Sequence, residues 1–83
     1  MKLLYFAWIR ERIGIAEEEI SPPVSVRTVT DLLDWLKQRG RGYEQALADL
    51  SIVRVAVNQD YAKLDHPVAP DDEVALFPPV TGG

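Results

Sequence analysis

Hydrophobic and polar positions change period several times along this chain, and each change marks a predicted element. Leu3-Leu4-Tyr5-Phe6-Ala7-Trp8-Ile9 is a short aromatic run bounded by charge, the pattern of a strand. Both of its alternating sets are apolar, with Leu3, Tyr5 and Ala7 on one face and Leu4, Phe6 and Trp8 on the other. A strand covered on both faces sits inside a sheet. Ile13-Gly14-Ile15 reads as a turn, with Gly14 free to take a positive φ. Glu17-Glu18-Glu19-Ile20 then meets Ser21-Pro22-Pro23-Val24. Prolines cannot donate to a ladder, so a strand here is an edge strand or a broken one.

The helical period emerges over Thr28 to Arg39. Val29, Leu32, Leu33 and Leu36 fall at i, i+3, i+4 and i+7, one apolar stripe. Thr28 and Asp31 form a capping pair, Gly40 takes the C′ position that stops the helix, and Lys37 and Arg39 place cations in its last turn. Trp35 lies off the stripe and is predicted to be partly buried. Gly42 to Leu50 holds a shorter helical piece that turns Tyr43, Ala46, Leu47 and Leu50 toward the core. Ile52 to Val57 is β-branched and ends in the turn cluster Asn58-Gln59-Asp60. A short strand Tyr61-Ala62-Lys63-Leu64 follows, then Pro67, the turn Pro70-Asp71-Asp72 and a last strand, Glu73 to Phe77. Such an order lacks the strand–helix alternation of doubly wound folds. It predicts an α+β architecture, the ubiquitin-like β-grasp roll, in which one main helix packs across one face of a mixed sheet. Residues 1–77 make that domain, and residues 78–83 form an extended tail.

Composition narrows what such a domain can do. Eighty-three residues allow one small domain. A chain of this size buries about 60–65% of its unfolded surface, too little to enclose a drug-sized cavity of roughly 300 Å³ or more. A self-sufficient enzyme is therefore not expected. Absence of cysteine removes disulfides, thiolate metal sites and cysteine nucleophiles together, and fits a reducing, cytoplasmic compartment. Nine Lys and Arg against thirteen Asp and Glu, a net charge of −4, argue against nucleic acid as a partner. No run approaches the roughly 18 apolar residues of a membrane span, and the opening run meets Arg10-Glu11-Arg12 instead of a signal-peptide cleavage site.

Side-chain chemistry is sparse. His66, the lone histidine, precedes a proline and lacks a second ligand at metal-binding spacing. Asp71-Asp72-Glu73 does not match a calcium loop and reads as a solvated turn. Glu17-Glu18-Glu19 reads as a solvated or edge-protecting run, and Arg10 and Arg12 as solvated surface cations, with pairing to partner carboxylates as the alternative. Without a Gly-x-x-x-x-Gly-Lys loop, any ATP is handled by a partner. No metal or bound cofactor is expected.

The tail carries the chemistry instead. Pro78-Pro79 holds the backbone near polyproline II and projects the chain end away from the sheet. Val80-Thr81-Gly82-Gly83 then ends in two residues without Cβ, able to enter a narrow channel in a partner. A terminal carboxylate, with a pKa of about 3.3–3.7, is ionised at neutral pH and acylates poorly. It must first be activated, for example as an acyl-adenylate. A folded handle, a stiff spacer and a bare glycine carboxylate together make an acyl carrier whose reactive atom is on the main chain.

With these residues in view, the chain resembles the small, sulfur-carrier subunits of molybdopterin synthase over nearly its whole length. The likeness rests on Tyr5-Phe6-Ala7 with Arg10-Glu11 and Gly14, Thr28-Val29, Ala56-Val57-Asn58-Gln59, Asp65-His66-Pro67, and Asp72-Glu73-Val74-Ala75 running into Phe77-Pro78-Pro79-Val80-Thr81-Gly82-Gly83. The resemblance implies that an adenylyltransferase partner uses ATP to adenylate Gly83, and that delivered sulfur converts the terminus to a thiocarboxylate. It implies that the tail, Pro78 to Gly82, inserts Gly83 into the large catalytic subunit. There sulfur passes to cyclic pyranopterin monophosphate to build the molybdopterin dithiolene. The implied assembly is a heterotetramer, with a carrier at each end of a pair of large subunits and no catalysis by the carrier alone. Phe6 and Phe77 match apolar positions that meet the partner. Tyr61 stands where the family usually has an aliphatic residue, and Trp8 is bulkier than the family pattern. A carrier for thiamine thiazole, cysteine or tRNA thiolation, a lysine-conjugated modifier and a β-grasp adaptor are the alternative readings.

Overall fold

The structure, a computed structural model, describes residues 1–79. Five strands form one mixed sheet: β1 (Lys2–Tyr5), β2 (Glu17–Glu19), β3 (Arg54–Val57), β4 (Asp60–Ala62) and β5 (Glu73–Phe77), in the order β2-β1-β5-β3-β4. The pair β1–β5 is parallel and the other three pairs are antiparallel. Three helices, α1 (Ala7–Ile13), α2 (Val29–Lys37) and α3 (Arg41–Ala46), complete the domain. The predicted α+β roll is the fold observed, and β1 lies inside the sheet as expected from its two apolar faces.

The first apolar run departs from the prediction. It is a strand only as far as Tyr5; after Phe6 the chain turns into α1. Ala7 adopts φ 53°, which ends the extended path. Beyond it, Ile9 and Ile13 recur at helical spacing, with Ile9 buried and Ile13 packed against the core. Gly14, at φ 97°, caps the helix by donating its N–H to the Arg10 carbonyl. Two helical apolar residues hid inside a run whose aromatics favour strand. Ala7 and Trp8 therefore leave the strand faces assigned to them, while Leu3, Tyr5 and Leu4 keep theirs.

α2 follows its prediction at the start and differs at the end. The Thr28 hydroxyl accepts from Asp31 N, and Asp31 accepts in return from Thr28 N, a complete capping box. All four stripe residues, Val29, Leu32, Leu33 and Leu36, are fully buried; each contributes about 1.5–3 kcal/mol by leaving water. Gly40 is not a left-handed C′ residue. The last turn closes through Gln38 and Arg39 N–H groups on the Trp35 and Leu36 carbonyls, and Gly40 instead precedes α3 as its N-cap in an extended conformation. The shorter helix buries Ala46 and Leu47 as predicted, with Tyr43 and Leu50 partly buried. Trp35 is likewise partly buried.

The strands β3 and β4 are shorter than the pattern indicated. Leu50–Ile52 forms a 3-10 turn held by Asp49, which accepts from Ser51 N at 3.0 Å, so β3 begins only at Arg54. β4 stops at Ala62, short of Lys63 and Leu64. The β3–β4 connection is two residues, Asn58 and Gln59, at φ 52° and 73°, the left-handed pair that matches strand twist. Inward residues Leu3, Tyr5, Val55, Val57, Val74 and Leu76 form the sheet side of the core. No helix among the described residues is long and apolar enough to cross a membrane.

Candidate functional site

Helices cover one face of the sheet, and the opposite face is graded from polar to apolar. At its β2 end lie Lys2, Glu17, Glu19 and Glu73, with Lys2 Nζ 3.4 Å from Glu17. Register then aligns Leu4, Ala75, Ala56 and Tyr61 as one row across four strands. Each alternates with an inward core residue, which is why period two selects them. The two alanines leave a low floor between larger neighbours.

Phe6 and Phe77 stand two positions beyond Leu4 and Ala75, at the exit ends of the parallel strands β1 and β5. Phe6 N–H donates to the Leu76 carbonyl at 3.1 Å, extending the β1–β5 ladder by one bond. The left-handed Ala7 then carries the chain away and leaves Phe6 47% exposed. Tyr61 is 80% exposed and its ring lies 5.8 Å from that of Phe77 at a tilt of 52°. Exposed apolar surface of this kind marks interaction sites. The structure thus brings Phe6, Phe77 and Tyr61 to one corner of the helix-free face. Leu4, Ala56 and Ala75 share that face; alternation within their strands was the signal that could have found them.

The chain leaves this corner through Pro78 and Pro79, both half-buried. Val80, Thr81, Gly82 and Gly83, the residues on which the tail chemistry was predicted, lie outside the described residues.

Elsewhere, two acidic runs do more than face solvent. Glu17-Glu18-Glu19 forms the edge strand β2, as the edge-protecting reading expected, but the solvated reading fails at Glu18. Tyr5 and Tyr43 hydroxyls both donate to its Oε2, at 2.7 and 2.6 Å, and Arg39 Nη1 donates to Oε1 at 2.9 Å. The Arg39 guanidinium also stacks over Trp35 and Tyr43, 5.2 and 5.1 Å from their ring centres. Partial burial pushes the Glu18 carboxyl up, but the hydrogen bonds from Tyr43, Tyr5 and Arg39 outweigh it and hold it below the usual range. Burial and then the Glu18 hydrogen bond push the Tyr5 hydroxyl up. Every buried side-chain polar atom described has a partner, so this cluster joins β1, β2, α2 and α3 without leaving a reactive group.

Asp72 likewise is not merely solvated. It accepts from Ala69 N at 2.7 Å and from Asn58 Nδ2 at 2.9 Å, while Asn58 Oδ1 accepts from Glu73 N at 3.0 Å. These bonds tie the turn before β5 to the β3–β4 hairpin. His66 is exposed, and no group of three His, Asp or Glu side chains among the described residues could hold a metal ion. Trp8 packs against the core with Arg12 stacked 5.6 Å from its ring centre; Arg10 is exposed.

Comparison with known proteins adds what side chains do not. The model of the ThiS family matches residues 3–83. This chain belongs to the ThiS family. As a ThiS-family protein it is 39% identical over 83 residues to the molybdopterin synthase sulfur carrier subunit of Escherichia coli, covering 100% of this chain and 99% of that one. Its fold matches that of SAMP1, a small archaeal modifier protein from Haloferax volcanii, at a TM-score of 0.79 with 31% identity, covering 100% and 98% of the two chains. It also matches the putative molybdopterin converting factor, subunit 1, of Pyrococcus furiosus, at a TM-score of 0.77 with 34% identity and 95% of each chain covered. The ubiquitin-like roll and the sulfur-carrier resemblance read from the sequence are thus both borne out.

Proposed function

We propose that this ThiS-family chain is the sulfur carrier subunit of a molybdopterin synthase, with Gly83 as its working residue. The observation that carries the reading is likeness over the full length to carriers of that name, with the family match running through Gly82 and Gly83. A partner adenylyltransferase joins the Gly83 carboxylate to the α-phosphate of ATP and releases pyrophosphate. A sulfur donor then displaces AMP and leaves a thiocarboxylate. The large synthase subunit receives the tail, and sulfur passes to cyclic pyranopterin monophosphate while the carboxylate is restored. The chain itself supplies a handle, a spacer and the carried atom; catalytic groups belong to its partners. We place this work in the cytoplasm, where ATP is available, within a heterotetramer.

The apolar corner supports the same reading. Phe6, Phe77 and Tyr61 surround the root of the tail, so a partner that docks there also receives the terminus. Pro78 to Gly82 then set how far Gly83 reaches. The test is direct: incubate the chain with ATP, a cognate adenylyltransferase and a sulfur donor, then measure intact mass. Replacement of one oxygen by sulfur, mapped to Gly83, is the expected result; an unchanged mass overturns the reading. A second reading, attachment to lysines, is favoured by the likeness to SAMP1 and would show as an isopeptide bond through Gly83.

A further inference from the structure

β4 ends one residue short of the start of its antiparallel neighbour β3. Val55 pairs with Ala62, but Arg54 and Val53 have no partner on β4. That shortfall opens a groove of about 590 Å³ on the sheet edge. Leu50, Val55 and Leu64 line its apolar part, and the Tyr61–Phe77 pair forms a wall shared with the corner at the root of the tail. Two cations, Arg54 and Lys63, stand along it, and among the described residues no carboxylate lines it. In a chain of net charge −4, this is a local reversal of sign.

Neither cation forms an ion pair among the described residues. Arg54 Nη1 donates to the Ser51 and Val53 carbonyls at 3.0 and 3.3 Å. These bonds hold the guanidinium in place over the groove without neutralising it. A positioned guanidinium with free N–H groups is the preferred partner of a carboxylate.

We propose that this groove receives a segment of the large synthase subunit in which a carboxylate sits between apolar residues, the carboxylate meeting Arg54 and Lys63. The assignment rests on the carrier reading and deepens it by naming the chemistry of the docking element. Tyr61 and Phe77 belong both to the groove and to the corner from which the tail departs. Of the two partners that take the tail, the large subunit is favoured because the full-length relatives are named as subunits of the synthase itself. A partner that takes the tail therefore also lies against the groove.

The experiment measures the Kd of the purified large subunit for the full chain and for a double variant, R54E/K63E, at low and high salt. Reversal is expected to weaken binding by about tenfold or more at low salt, with the difference shrinking as salt screens it. Lys63→Glu alone guards against misfolding, because the Lys63 side chain makes no hydrogen bond or ion pair among the described residues; it is expected to give a smaller loss of the same salt dependence. Equal affinity, or a loss that salt does not change, overturns the assignment. So does a variant that weakens binding to the adenylyltransferase alone. Failure of the unaltered chain to bind the large subunit overturns the carrier reading itself, which separates the two failures.

Discussion

Three consecutive glutamates, alike in the sequence, are predicted to differ sharply in what they contribute. Glu18→Ala removes the acceptor of two tyrosine hydroxyls and one guanidinium. Tyr5 is only 2% exposed, so its hydroxyl loses its partner where water does not readily replace it; an unsatisfied buried group costs about 1–3 kcal/mol. Tyr43 and Arg39 lie nearer solvent and recover part of their loss there. The sum is a destabilisation of about 2–3 kcal/mol, equivalent to a fall in Tm of about 10–20 °C for a domain of this size. Glu17→Ala breaks an exposed ion pair, and Glu19→Ala a long one, 3.6 Å, whose carboxylate end is exposed and whose Met1 ammonium keeps its bond to the Ile20 carbonyl; each should cost less than about 1 kcal/mol. The sign with pH comes from the lowered carboxyl of Glu18. Its contribution is complete above the ordinary glutamate range, about 4.3, and is lost as pH falls through that range toward the lower folded-state value. Urea unfolding followed by circular dichroism, for the three variants at neutral pH and in acid, measures all of this. Equal losses for the three, or a Glu18→Ala deficit that does not shrink in acid, would refute the reasoning.

Local geometry sets the other expected outcomes. Gly42→Ala should destabilise by about 1–3 kcal/mol in thermal unfolding, because a Cβ there collides with the Arg12 carbonyl oxygen and forces α1 and α3 apart. Gln59→Gly should raise Tm slightly, since φ 73° at that hairpin position suits glycine better than glutamine. Phe77→Ala and Phe6→Ala should each weaken large-subunit binding by about 2 kcal/mol or more, the scale of an interface anchor, read by titration calorimetry. Phe6→Ala should leave stability nearly unchanged, because that side chain is half exposed before docking.

Elements whose period agrees with their local chemistry were legible in the sequence. α2 combines stripe, capping box and charged last turn, and β5 keeps its predicted bounds from Glu73 to Phe77. α1 was not legible, because Ile9 and Ile13 straddle a run whose aromatics point to strand, and the break depends on a left-handed Ala7 that no residue-type preference announces. Gly40 misled for a related reason: a glycine after a helix is as useful for starting the next one as for ending the last. Glu18 was read as solvent-facing because its partners, Tyr5, Arg39 and Tyr43, are remote in sequence. At the candidate site, Phe6, Tyr61 and Phe77 could be named from the chain, but only strand register shows that they share a corner. The groove beside them depends on β4 stopping one residue short of Lys63, a detail of length that pattern does not resolve.

The central claim is that function resides in the terminal carboxylate of Gly83 and in no side chain. It is tested most directly by reconstituting molybdopterin formation from purified large subunit, loaded carrier and cyclic pyranopterin monophosphate, comparing the full chain with one lacking Gly83. The account predicts product with the full chain and none with the shortened one, while both unfold at the same temperature. Product from the chain without Gly83 would contradict it.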